Sequence, residues 1–408
     1  MTSYQPGRRP LTLLRDRNFG PFLLGKFISS CGIWIQNLAA AVVAFQLTGS
    51  ALAVGFVSFL QFLPSLVLTL WTGALADRYD RRLLLMAGRV TSGAAVSSLG
   101  ALIVWGSLTD ERLLAAVYVF VSIMGLGLSL SAPSMQAIVP GLVPKVDLES
   151  AVTLGAAAPS FARAIGPAVG AAILFSAGPG AAFLVAGGGH LIFGVLLLFI
   201  RTAPTDRSGK KVALLGGIRY ALQHRPVAAM ILGVALISFG SDPVITLTPS
   251  MAAQLGTGEG SVGVLTTMFG LGAITQALVI RSIRARLSLA ASATLAFGLL
   301  VISLVILAFA ATLAIASAGF FLSGLAFMIA NVSLTTRIHG LVEDEFRGRV
   351  LALWSIAFLG ARPIVALTNG FVTDWVGLRT GFLTAAVIIV ALFPAVRAGF
   401  RDTPPVTP

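Results

Sequence analysis

Gly73-Ala74-Leu75-Ala76-Asp77-Arg78-Tyr79-Asp80-Arg81-Arg82 is the stretch on which the fold turns. It is crowded with charge, yet an apolar run from Ala51 to Leu75 leads into it and another, Leu83 to Trp105, leads out. About 20 apolar residues span the core of a bilayer, because every backbone amide there must be bonded within its own helix. The two runs therefore read as membrane-crossing helices joined by a short charged turn at one face.

The same reading extends along the chain. Further spans are expected at Phe19 to Leu47, Leu113 to Ile138, Ala151 to Phe175 and Ala181 to Ile200, completing a first half. The second half has Pro226 to Ala253, Ser261 to Ile280, Leu287 to Phe309, Thr312 to Thr336, Val350 to Phe371 and Thr380 to Val396. The expectation is an all-α membrane protein with twelve transmembrane helices. Composition agrees: 57% of the 408 residues are apolar and 11% charged, against about 25% charged in soluble domains. The 44 glycines and 19 prolines suit membrane helices, where small residues let backbones approach and neighbours re-satisfy freed backbone groups.

A net charge of +13 would suit a nucleic-acid partner, but its placement points away from one. With the N-terminus cytoplasmic, 22 of the 28 Lys and Arg fall in inner loops and tails, four lie within spans, and only Arg112 and Arg379 face out. That asymmetry is the positive-inside rule, so the charge encodes an inner-membrane topology with both termini cytoplasmic. Trp105 and Trp375 fall where outer aromatic belts sit. The first apolar run is too long for a signal-peptide core and lacks a small-residue cleavage pattern, so it reads as a retained helix. A lone Cys31 excludes a disulfide framework and a thiol metal site. His190, His224 and His339 do not cluster, so no metal is expected. No GxxxxGK[ST] loop occurs, which leaves ATP-driven pumping without a basis. No cofactor is expected.

The two halves repeat. An offset of 208 residues aligns Gly25 with Gly233, Ser30 with Ser238, Gly32 with Gly240 and Gly55 with Gly263. An offset of 199 later takes over, pairing Gly141-Leu142-Val143 with Gly340-Leu341-Val342, Ala162-Arg163 with Ala361-Arg362, Gly178 with Gly377, and Phe183-Leu184 with Phe382-Leu383. Parallel six-helix repeats are a transporter architecture, with a site at the midplane and one half rocking against the other. The chain thus divides into 1–200, a basic cytoplasmic linker 201–225, and 226–408 with its short tail. In the linker, Val212, Leu214, Leu215, Ile218 and Leu222 are spaced for an amphipathic helix on the inner surface.

The opening decapeptide resembles the G-x-L-A-D-R-x-G-R-R signature of the major facilitator superfamily, with Asp80 in place of its second glycine. The resemblance implies two pseudo-symmetric six-helix bundles and a gating role for Gly73, Asp77, Arg78, Arg81 and Arg82. Gly73 would pack closely on a neighbour, Asp77 would face the positive N-terminus of the eleventh span near Arg347-Gly348-Arg349, and Arg81 and Arg82 would reach Glu343, Asp344 and Glu345. On the fifth span, Ala162-Arg163-Ala164-Ile165-Gly166-Pro167-Ala168-Val169-Gly170-Ala171 is similar to the antiporter signature G-x-x-x-G-P-x-x-G-G, with Ala at its first and last positions. That implies a bend at Pro167 and close packing of Arg163, Gly166 and Gly170 against the other half. Gly32-Ile-Trp34-Ile-Gln36, Leu47-Thr-Gly-Ser50 and Glu343-Asp-Glu-Phe-Arg347-Gly-Arg349 look most like the branch that holds the enterobactin exporter and macrolide-type efflux proteins. The fourth span lacks the Arg that many proton-driven drug antiporters carry.

An ionisable side chain at the bilayer centre costs at least ~2.5 to 3.5 kcal/mol, so it marks function by default. Arg163, Asp242 and Arg362 fall near mid-depth. Asp242 on the seventh span and Arg362 on the eleventh form the expected proton-coupling pair, with Asp242-Pro243 bending its helix. The repeat places Trp34 where the second half has Asp242, so Arg163 has no acidic counterpart, a balance that favours anionic or polyphenolic cargo. Trp34, Gln36 and Asn37 are candidates for lining a substrate cavity by stacking and hydrogen bonding. Lys26 and Arg89 are expected to snorkel to the inner headgroups.

The expected function is secondary export, by proton antiport, of a small amphiphilic molecule such as a siderophore or antibiotic, by a monomer needing only its substrate, the lipid bilayer and the proton gradient as partners. An importer or a lipid flippase is the alternative within the fold. A membrane-embedded enzyme such as an acyltransferase is the alternative from another class, though no His, Asp or Ser constellation supports it.

Overall fold

The computed structural model describes residues 10–106, 108–202, 214–258 and 260–401. Among them the long elements are α1 (Phe19–Thr48), α2 (Ala51–Arg78), α3 (Arg81–Val104), α4 (Asp110–Ala137), α5 (Leu148–Leu198), α6 (Leu214–Gln223), α7 (Arg225–Thr246), α8 (Thr248–Gln254), α9 (Gly260–Arg286), α10 (Leu289–Ala308), α11 (Leu313–Leu341), α12 (Asp344–Val376) and α13 (Leu378–Ala398). All but α6 and α8 are long and apolar enough to cross a membrane, eleven helices among the described residues. Strands do not occur among those residues.

The fifth and sixth expected spans form one element, the 51-residue α5. A straight rod of that length would reach about 77 Å, more than twice a ~30 Å bilayer core. It is broken at Gly178, whose φ of 83° and ψ of 172° belong to a region essentially open only to glycine. The contacts of α1 give the direction of each arm. Side chains built on Gly166 and Gly170 would meet Trp34 and Ile35, so numbering rises together along α1 and the first arm. On the second arm it runs oppositely, since Gly25 abuts Phe193 and Gly32 abuts Ala186. The element is therefore a helical hairpin whose two arms are the fifth and sixth spans.

Gly377 repeats the device between α12 and α13, at φ 103° and ψ 159°. These are the two glycines that the 199-residue offset pairs, and the next pair it names, Phe183 and Phe382, is fully buried in both halves.

The chain gathers into two compact units, Met1–Val43 with Leu63–Lys210, and Ala44–Phe62 with Lys211–Pro408. In the first, Leu13, Phe19, Phe22, Leu85 and Phe193 share one core, with the Phe22 ring edge-on to Phe193 at 5.9 Å. In the second, Phe297, Leu300, Phe320, Phe327 and Phe382 are central. There α9 and α11 approach so closely that a Cβ on Gly272 or Gly324 would collide with the carbonyl of Phe321 or Phe269, the small-residue packing that substitutes for hydrophobic drive in lipid.

The start of α2 belongs to the second unit for an identifiable reason. Asp374, near the end of α12, accepts from the backbone amides of Ala51 (2.8 Å) and Leu52 (3.0 Å) and from the Ser50 hydroxyl. Those amides are among the orphan donors of a helix N-terminus. Gly55 and Gly370 then let α2 and α12 touch backbone to backbone, facing Ala366 and Ala51.

The seventh expected span is two helices. Pro243 cannot donate a backbone hydrogen bond, and α7 runs one turn past it before breaking at Leu247 (φ −94°, ψ 3°), where α8 begins. In the linker, α6 buries Tyr220 and Ala221, and Tyr220 stacks on Phe346 at 4.6 Å. Leu222, on the expected apolar face, is exposed. Val212 and the side chains of Leu214, Leu215 and Ile218 lie outside the described residues.

Candidate functional site

The motif turn shows what its side chains do. Asp80, the departure from the signature, is the N-cap of α3, its Oδ1 accepting from the amides of Arg82 (2.7 Å) and Leu83 (3.4 Å). A carboxylate there satisfies orphan donors and complements the helix dipole. Arg81 donates to the carbonyl of Ala137 (3.0 Å), the last residue of α4, and Arg82 to that of Leu198 (3.1 Å), the last residue of α5. Both guanidinium groups thus close helix C-termini, where cations are favoured. Arg78 is exposed. A methyl on Gly73 would meet no described atom within 4 Å. The Asp77 side chain, with those of Asp344 and Glu345, lies outside the described residues.

On the first arm of α5, the glycines of the second motif pack within their own unit. A Cβ on Gly166 would stand 2.7 Å from that of Trp34, and one on Gly170 3.0 Å from the Cα of Ile35. Both glycines thus let the first arm pack closely on α1. The backbone stays helical through Pro167, the only break in α5 being at Gly178. The Arg163 guanidinium lies 5.3 Å from the centroid of the Trp34 ring, a cation–π contact. Gln36 is fully buried and its amide has no hydrogen-bond partner among the described residues; the Oδ1 of Asn37 is in the same condition.

The second unit holds the expected acid–base pair. Asp242 is 2% exposed, with Thr246 one turn on donating to its Oδ2 at 2.9 Å. From α12, Arg362 acts on it electrostatically and Asn369 lies beside the same carboxylate. The Arg362 guanidinium is held between aromatic rings, 5.2 Å from the centroid of Phe62 and 5.3 Å from that of Phe358, and its Nε has no hydrogen-bond partner among the described residues. Phe358 in turn stacks on Trp354 at 5.4 Å. Flat rings orient the cation without competing for its hydrogen bonds, leaving charge to be matched by the one carboxylate.

The two pairs are repeat-equivalent. Trp34 corresponds to Asp242 by the first offset and Arg163 to Arg362 by the second, and in each unit the two partners meet. One half sets its arginine against an aromatic face, the other against an acid. Sequence reasoning missed Phe62, Trp354, Asn369 and Asp374; aromatic residues and a lone amide in apolar helices carry no signal of their own.

Lys26 and Arg89 do not snorkel. Both are buried, at 8% and 7% exposure, and Arg89 donates to Ser29 at 3.0 Å. No group of three or more potential metal-ligating side chains occurs among the described residues.

A bundle of long apolar helices in two repeated units, with paired polar groups buried in each, defines a multi-pass membrane transporter. The chain belongs to the family described as transmembrane secretion effector, a branch of the major facilitator superfamily, whose sequence model matches residues 9–402. It is similar to the enterobactin exporter EntS of Salmonella choleraesuis, 26% identical over 97% of each chain. It also resembles the MFS-type transporter YfiS of Bacillus subtilis, 22% identical over 91% of this chain and 90% of that one. The staphyloferrin A transporter of Staphylococcus aureus is 25% identical over 64% of this chain and 66% of that one. Among solved structures, an inward-facing, unoccupied bacterial homologue of the human lysosomal transporter Spinster superposes with a TM-score of 0.75 over 94% of this chain and 97% of that one, at 13% identity. A bacterial homologue of the iron transporter ferroportin gives 0.71 over 96% and 100%, at 16% identity. These likenesses carry the fold, and with the family they make the chain a transporter rather than an enzyme.

Proposed function

We propose that the protein is a proton-driven exporter of a small amphiphilic molecule of the siderophore or antibiotic type, working as a monomer in the inner membrane by alternating access. The observation that carries the reading is the buried Asp242 facing Arg362 from a second helix. A midplane carboxylate whose charge partner can approach or withdraw binds a proton in one state and releases it in the other. Asp242 is thus the coupling group and Arg362 sets its affinity, while the Gly73–Arg82 turn biases the equilibrium between states. The likeness to EntS over nearly the whole chain supports a siderophore as cargo.

The test is enterobactin transport in proteoliposomes with an imposed pH gradient. The wild type accumulates it against its gradient; Asp242→Asn retains binding and loses pH-driven accumulation; Asp77→Asn inserts normally and loses turnover. Accumulation that stays pH-dependent in Asp242→Asn would place the proton path elsewhere, and normal turnover in Asp77→Asn would reduce the motif to an ordinary turn.

A further inference from the structure

The first unit buries a set of basic groups that the proposed transport cycle does not use. Lys26 on α1, Arg89 on α3 and His190 on the second arm of α5 are 8%, 7% and 0% exposed. Lys26 lies seven residues from the start of α1, Arg89 eight from the start of α3, and His190 eight from the end of α5. At 1.5 Å per residue all three stand about 10–12 Å in from one end of the bundle. They converge: Arg89 acts electrostatically on both Lys26 and His190, and Ser29 lies between Arg89 and His190.

The hydrogen bonding shows what this cluster lacks. Arg89 Nη1 donates to Ser29 Oγ at 3.0 Å, and Ser29 Oγ shares a 2.7 Å hydrogen bond with His190 Nδ1. His190 Nε2 and the Arg89 Nε–H are both buried with no hydrogen-bond partner among the described residues. No carboxylate among the described residues bonds to Lys26, Arg89 or His190. The Phe193 ring, 5.7 Å from the Arg89 guanidinium, is the one soft partner for the charge. Buried cations are ordinarily paired, because the cost of desolvating a lone charge is large. Here two cations face each other and the Arg89 Nε–H is left without an acceptor, so what would complete the cluster is an anionic acceptor.

We infer that Lys26, Ser29, Arg89 and His190 form an oxyanion site inside the first unit, taking a phosphate or carboxylate group. The lateral wall includes Gly155 on the first arm of α5, where a Cβ would stand 3.7 Å from Lys26 Nζ. A side chain built there would begin beside the ammonium, so an acidic one would supply the anion from within. The site does not depend on the direction or coupling of transport.

The full-length protein in phosphatidylcholine nanodiscs provides the test, with inorganic phosphate as probe against chloride at matched ionic strength. The thermal midpoint of the wild type rises saturably with phosphate. Lys26→Met, which removes charge at similar length, loses that response. Gly155→Asp supplies the anion internally, so its midpoint lies above wild type without phosphate and no longer responds to it. A wild-type midpoint raised by phosphatidylglycerol but not by phosphate identifies a lipid headgroup as the source of the same group. No rise with either, or an equal rise in wild type, Lys26→Met and Gly155→Asp, overturns the inference.

Discussion

Asp80 shows how a departure from a family pattern can be a gain. The signature has glycine at this position, and the chain has a side chain that accepts from two amides of α3. Replacing an N-cap Asp by Ala typically costs about 1 kcal/mol, whereas Gly costs only a few tenths. Asp80→Ala is therefore expected to lower the thermal midpoint of the purified protein clearly more than Asp80→Gly, the variant that restores the signature. Equal losses would show that the cap contributes nothing and that backbone geometry sets the position. At this scale charged groups were easier to read than their partners. Asp242 and Arg362 were legible because ionisable residues stand out in apolar helices. The carbonyls that Arg81 and Arg82 bind were not, because a free carbonyl at a helix end leaves no mark in a sequence.

Among elements, the paired glycines are the most informative. Gly178 and Gly377 occupy the same backbone region, at φ 83° and 103°, and each turns one apolar helix into the next with no loop between. A Cβ at such a position is strained regardless of space, at a cost on the order of 1–3 kcal/mol. Gly178→Ala and Gly377→Ala should each destabilise the protein by that order, and by similar amounts, as read by denaturant titration in micelles. An unaffected midpoint in either would mean that the turn relaxes to another conformation. The internal repeat already pairs these glycines, so half of the turn geometry could be read before any coordinates. The union of α2 with α12 could not. Asp374 and Ser50 are 324 residues apart, and an acid near a span's end looks like any other interfacial charge.

Across the whole molecule, the expectation open to measurement is orientation. The basic residues favour a cytoplasmic linker and an external loop between the seventh and eighth spans. In a Cys31→Ser background, a membrane-impermeant thiol reagent added outside should label Thr257→Cys and miss Gln223→Cys, both positions being exposed. The opposite pattern would invert the topology. Fold class was legible at this scale because lipid forbids nearly every alternative to apolar helices. The grouping of Ala44–Phe62 with the second unit was not, since a cut through two continuous helices leaves no mark in hydropathy.

That grouping also sets a timetable for biogenesis. The amides of Ala51 and Leu52 are made early, while the Asp374 that binds them leaves the ribosome more than 320 residues later. At about 5–20 residues per second, the nascent chain must keep the start of α2 waiting for roughly 16 to 65 seconds. Every contact described above within the first unit joins residues completed before α7 is made. The second unit closes last, around a segment that was among the first to enter the membrane.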